Sequence, residues 1–139
     1  MFVLDTNHLR ELVHESPLSA RLRERIESCG ADVVLTIVAA EEGLRGWLAM
    51  VAAAREVSRQ VRIYPQLDQL IHALGQYIRL PFDAEAAARF QQFRAQGVRI
   101  GAQDLKIACI TIEHDATLLT RNTVDFAKVP GLRFENWLD

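Results

Sequence analysis

Met1-Phe2-Val3-Leu4-Asp5-Thr6-Asn7 is the stretch whose reading decides the fold. An unbroken apolar run closed by an ionisable residue marks a short strand buried on both faces, over residues 2–5. Thr6 and Asn7 favour a helix start, which predicts a short helix over 7–14. The alternation continues along the chain. Val33 to Thr36 is the second strand, and Arg79-Leu80-Pro81-Phe82 a third short strand or extended link. Ala116 to Leu119 is a strand of the buried parallel kind, and Leu132 to Phe134 a last edge strand. Helices are expected over Pro17–Ser28, closed by Gly30, over Ala39 to Val57, and over Arg59 to Ile78 with a bend near Pro65. Asp83 caps a further helix, Ala84–Gln96, and 121–126 holds at most one helical turn. The helix Asp104 to His114 is apolar on most faces, so it belongs at the centre, covered. Trp137 is expected to pack against the body. Strands alternating with helices give an α/β fold, a parallel sheet with helices on both faces.

The 139 residues fit one domain, 1–139, with no internal repeat or linker. Half are hydrophobic and 24% charged, a globular composition. No apolar run approaches the ~20 residues that span a bilayer, and the first residues lack a basic leader. Cys29 and Cys109 share no ligand spacing and read as buried or half-buried thiols. A cytoplasmic location is the expectation. A net charge of −2 excludes a general nucleic-acid coat protein but not a nuclease.

Four acids carry the chemical signal: Asp5, Glu42, Asp104 and Asp125. Three are read as lying after strands, and Asp104 opens the central helix. In parallel sheets such positions share the rim at the carboxyl ends of the strands, where ligands bind. Clustered carboxylates raise each other's pKa unless a cation joins them. A hard divalent cation held there activates water and stabilises charge on a phosphate. Glu41 competes with Glu42, but neighbours on a helix point about 100° apart, so only one faces the site. Arg45, Lys106 and Arg121 stand near the acidic segments as phosphate partners. His8, His14, His72 and His114 show no zinc spacing and read as surface or partly buried residues. The serines sit in no nucleophile elbow, and no glycine-rich phosphate loop is present. Trp47, Met50, Phe90 and Phe93 fall at helical spacing and read as core or interface.

The sequence resembles the PIN-domain ribonucleases, and among them the VapC toxin type. Val3-Leu4-Asp5-Thr6-Asn7 is similar to that family's opening. Leu35 to Gly46, with Glu42, resembles its second block, Ile100 to Ala108, with Asp104, its third, and Leu118 to Phe126, with Asp125, its fourth. Val129-Pro130-Gly131-Leu132 and Glu135-Asn136-Trp137 match its usual ending. Gly43, directly after the acid, departs from the commoner pattern. The resemblance implies a three-layer α/β/α sandwich and endoribonuclease activity dependent on Mg2+ or Mn2+. It implies a cognate antitoxin that blocks the site, and homodimers. It makes Asp5, Glu42 and Asp104 metal ligands and Asp125 the more variable fourth acid. Thr6, Asn7, Thr120, Arg121 and Asn122 become supporting or phosphate-binding residues. Two alternatives stay open: a related nuclease of RNA maturation or DNA structures, and a receiver-like signalling domain. The latter needs an acidic pair after its first strand, where this chain has Asp5-Thr6-Asn7.

Overall fold

The computed structural model describes residues 1–139. In chain order the elements are β1 (Phe2–Leu4), α1 (Thr6–Val13), α2 (Pro17–Ser28), β2 (Val33–Thr36), α3 (Ile37–Ala53) and α4 (Val57–Gln76). Then follow β3 (Arg79–Leu80), α5 (Ala84–Ala95), α6 (Ala102–Glu113), β4 (Thr117–Leu119), α7 (Thr123–Phe126) and β5 (Arg133–Glu135). The five strands form one sheet in the order β3-β2-β1-β4-β5, and every pair is parallel. Helices cover both faces, so the fold is an α/β/α sandwich.

Register divides the core. Val3 sits opposite Val34 and Leu118, and Leu4 opposite Leu35 and Leu119. Side chains alternate across a strand. The first row therefore joins Ala108, Ile110 and Phe93 from α6 and α5. The second row joins Leu9, Leu22 and Leu70 from α1, α2 and α4. Phe126 of the single-turn α7 is fully buried in the first cluster, and Trp137 lies in the second. No helix is long and apolar enough to cross a membrane.

The structure moves several boundaries, those of α1 and α3 through side-chain caps. Asp5 ends β1 rather than belonging to it; its carboxylate accepts from the Thr6 amide at 2.7 Å and starts α1. Helix α3 begins at Ile37, two residues before the expected start, because the Thr36 hydroxyl accepts from the Ala39 amide. It stops at Ala53, where Ala54 turns to extended backbone, and α4 begins at Val57. Pro65 lies inside α4, which remains one helix of 20 residues. Asp83 caps α5 through the Ala86 amide, as its sequence position predicts. Helix α6 starts at Ala102, which puts Asp104 in its first turn.

Gly43 allows α3 to approach α4. A Cβ there would lie 3.2 Å from a Leu70 methyl, whereas one at Gly46 would meet nothing within 4 Å. Gly43→Val is expected to cost ~1–3 kcal/mol by overpacking. Gly46→Ala is expected to stabilise by ~0.5–1 kcal/mol through helix propensity. Urea unfolding of the two variants measures both.

Candidate metal centre

The sheet order reverses between β1 and β4, and the crevice at their carboxyl ends is where ligands bind in such sheets. Asp5 and Thr120 are the first residues beyond those two strands. The Thr120 hydroxyl donates to Asp5 Oδ2 at 2.7 Å, tying the two halves of the sheet together at the crevice. The Thr6 amide holds the other oxygen. Asp5 is buried, with 3% of its surface exposed.

Glu42 comes from another direction. It lies in the second turn of α3, inside the helix expected from Ala39 onward and not at the end of β2 itself. The Thr6 hydroxyl donates to Glu42 Oε1 at 2.9 Å, which draws the side chain to the crevice. Neighbouring Glu41 faces away and accepts from Arg45 and Gln103. Asp104 arrives from the first turn of α6. One carboxylate oxygen from each of Asp5, Glu42 and Asp104 lies within 4.8 Å of the others.

Asp125 stands outside that group. It too is not at a strand end, but in α7. Asn122 Nδ2 donates to Asp125 Oδ2 at 3.1 Å and to Asp104 Oδ2 at 3.3 Å, linking the fourth acid to the third. Lys128 pairs with Asp125 at 3.2 Å. Arg121 turns its guanidinium to Asp139, with both bonds at 3.1 Å. Its backbone amide donates to Asn7 Oδ1. Arg45 pairs with Glu41, and Lys106 lies over the Phe82 ring.

The electrostatics follow from burial. Desolvation pushes the Asp5 carboxyl up to about 6, against the Thr120 and Thr6 hydrogen bonds, and Asp104 and Glu42 add to the rise. Burial and then the Asp104 charge raise Glu42, although the Thr6 bond lowers it. Burial and then Asp125 raise Asp104. The hydrogen bonds from Asn122 and Lys128 keep exposed Asp125 below its ordinary value. Three oxygen donors drawn together at this cost, with no histidine or thiolate among them, suit a hard divalent cation rather than zinc.

His8 corrects the reading of the histidines as surface or partly buried. It is fully buried. Its Nε2 accepts from the Trp137 amide at 3.2 Å, which puts the proton on Nδ1, donating to Asn7 Oδ1 at 2.9 Å. Burial, then the charge of Arg121, lower its pKa to about 4. The spacing of His8, Leu9 and Leu12 on one helical face held the signal.

The PIN-domain family model matches residues 2–132. Over 62 residues the chain is 36% identical to Ribonuclease VapC2 of Rickettsia felis, a match covering 42% of this chain and 46% of that protein. The matched chain thus spans about half the length of that relative. The DNA-bound VapBC structure from Salmonella typhimurium shares the fold, with a TM-score of 0.78 and 23% identity over 98% of this chain and 97% of the other. FitAcB from Neisseria gonorrhoeae aligns with a TM-score of 0.71 and 27% identity over 99% and 98%.

Asp5 and His8 pull stability in opposite directions. Asp5 ionises near 3.8 ordinarily and near 6 when folded, so between those values the folded state holds the extra proton. Its contribution makes stability fall as pH rises from about 4 to 6. His8, near 6.5 ordinarily and 4 when folded, makes stability rise over a similar window. Comparison with Asp5→Asn isolates the carboxylate. In EDTA the variant is expected to gain on the parent as pH rises, approaching ~3 kcal/mol at pH 7, with the gap closing towards pH 4. Mn2+ at 100 times its Kd is expected to stabilise the parent by about 2.7 kcal/mol and the variant far less. Urea unfolding across pH, with and without Mn2+, checks both.

Proposed function

The chain belongs to the PIN-domain family, and on that footing we propose that residues 1–139 form one nuclease domain, a divalent-metal-dependent endoribonuclease acting as the toxin of a toxin–antitoxin pair. The observation that carries this reading is the three-carboxylate group at the reversal of strand order. The local identity to Ribonuclease VapC2 supports RNA as the substrate, and the likeness to the VapBC structure supports a cognate antitoxin. The work takes place in the cytoplasm.

Asp5, Glu42 and Asp104 would hold Mg2+ or Mn2+, with Asp125 as the fourth acid of the catalytic set. The protein's part is to keep the ligands in place. Thr120 and the Thr6 amide each hold one oxygen of Asp5. Thr6 holds Glu42 Oε1, leaving Oε2 without a bond in the protein. Asn122 holds Asp104 Oδ2 in the same way, leaving Oδ1. Asn7, bound to His8 and to the Arg121 amide, fixes the β4–α7 loop that carries Thr120 and Asn122. These second contacts keep each carboxylate in one orientation, which metal affinity depends on. Arg121 reaches a substrate phosphate by exchanging Asp139 for it.

The protein is also proposed to act as a homodimer. Ile37 and Leu48 on the outer face of α3 are exposed, and together with Leu44 and Phe82 they line an open apolar cavity of about 920 Å³. A second copy of this face would cover it. Leu48→Asp is expected to leave a folded monomer where the parent sediments as a dimer.

Cleavage tests the central reading. With Mg2+ or Mn2+ and RNA, Asp5→Asn and Asp104→Asn are each expected to lose about 100-fold or more in rate while remaining folded. Undiminished RNA cleavage by both folded variants sinks the assignment. A flap DNA in the same assay separates a ribonuclease from a DNA-structure nuclease.

A further inference from the structure

Two grooves meet on the surface of α3. The first, about 240 Å³, runs between α1, α3 and α4 and opens directly beside the acids, with Thr6 and Glu42 in its wall. Gly46 leaves its floor open, and Trp47 and Met50 line it. The second, about 370 Å³, continues from Met50 to the α3–α4 elbow and is lined by Ala53, Ala54, Ile63, Arg59 and Arg62. From Glu42 to Met50 is eight helical residues, roughly 12 Å. The track therefore spans a few nucleotides of extended chain.

The cations of the molecule are unevenly occupied. Arg25, Arg45, Arg89, Arg121, Arg133 and Lys128 are paired with acids. Arg23, Arg79 and Arg94 are bound to backbone carbonyls. Arg10, Arg21, Arg55, Arg59, Arg62 and Arg99 make neither kind of contact and are exposed; of these six, Arg10, Arg59 and Arg62 line this one track, and Arg21 and Arg99 lie outside it. Unpaired Arg55 stands at the same elbow. No acid lines the distal groove.

We infer that this track is the path of a single-stranded RNA leaving the acid cluster, with Trp47 receiving a base and Arg10, Arg59 and Arg62 receiving phosphates. The inference rests on the ribonuclease reading and adds where the strand runs. The acid cluster repels RNA on its own, so attraction has to come from cations outside it. Aromatic surface beside a line of free arginines is the chemistry that holds an unpaired strand without regard to sequence. An acidic protein segment is the competing occupant, but the half-buried Trp47 ring beside the acids, in line with the free arginines, favours the nucleic acid.

The test measures binding of a fluorescent single-stranded RNA by anisotropy, on an Asp104→Asn background that keeps the RNA intact. Arg59→Glu and Arg62→Glu are each expected to weaken binding about tenfold and to lower the salt slope by close to one. Arg→Lys at either position keeps most of the affinity. Trp47→Leu is expected to weaken binding by roughly fivefold or more, and Trp47→Phe to restore most of it. Arg21→Glu makes the same charge change on α2, outside the track, and leaves RNA affinity near that of the parent. Mn2+ affinity and melting temperature of the Arg59 and Arg62 variants stay at parental values. Parental affinity and salt slope in the two reversals overturn the path, while cleavage by the unmodified protein, run alongside, keeps the ribonuclease reading standing. A loss confined to antitoxin binding gives the track to that partner instead. Absence of both RNA binding and cleavage in the unmodified protein overturns both.

Discussion

Everything at the crevice depends on one buried carboxylate. Asp5 ends the central strand, caps the first helix through the Thr6 amide, and receives the hydroxyl of Thr120 from the neighbouring strand. A carboxylate in that position is costly to ionise, which is why burial raises its pKa so far. The surrounding contacts limit that cost without removing it. Glu42 and Asp104, brought to the same place by α3 and α6, increase it. A site that is destabilised by its own charge is a site prepared for a cation.

The rest of the architecture serves to hold this point still. Each central strand has only three or four residues, yet every one after the half-buried first is buried. Val3, Val34 and Leu118 lock the helices of one face, and Leu4, Leu35 and Leu119 those of the other. Helix α3 contributes to both clusters, Val38 and Ala39 to one and Ala40 to the other. Its early turns are therefore clamped at the sheet edge, and Glu42 is carried on a rigid support rather than a loop.

The buried strands and the order of elements were legible because apolar runs of this length, closed by polar residues, have few other readings. Asp5 and Asp104 were legible because an ionisable group beside a buried element requires a reason. Helical geometry separated Glu42 from Glu41. The sequence was less informative where capping decides a boundary, as at Thr36, whose hydroxyl starts α3 two residues early, at Ile37. His8 was misread because its two partners, Asn7 and the Trp137 amide, come from opposite ends of the numbering. The engagement of Arg121 by Asp139 was hidden for the same reason: no local pattern reports a long-range pair. Gly43, a departure from the family pattern, makes sense only beside Leu70, where a close helix crossing needs the space.

The bond between Thr120 and Asp5 joins residues 115 positions apart. During synthesis the ribosome delivers β1 long before β4, and until β4 arrives the central strand lacks one of its two neighbours. Contacts of such long sequence separation form late, because the chain entropy must be lost before they bring any gain. The nascent chain therefore carries its acids scattered and unsupported for most of its emergence. Assembly of the crevice waits for β4, so Asp5, Glu42 and Asp104 gather only once both neighbours of the central strand are in place.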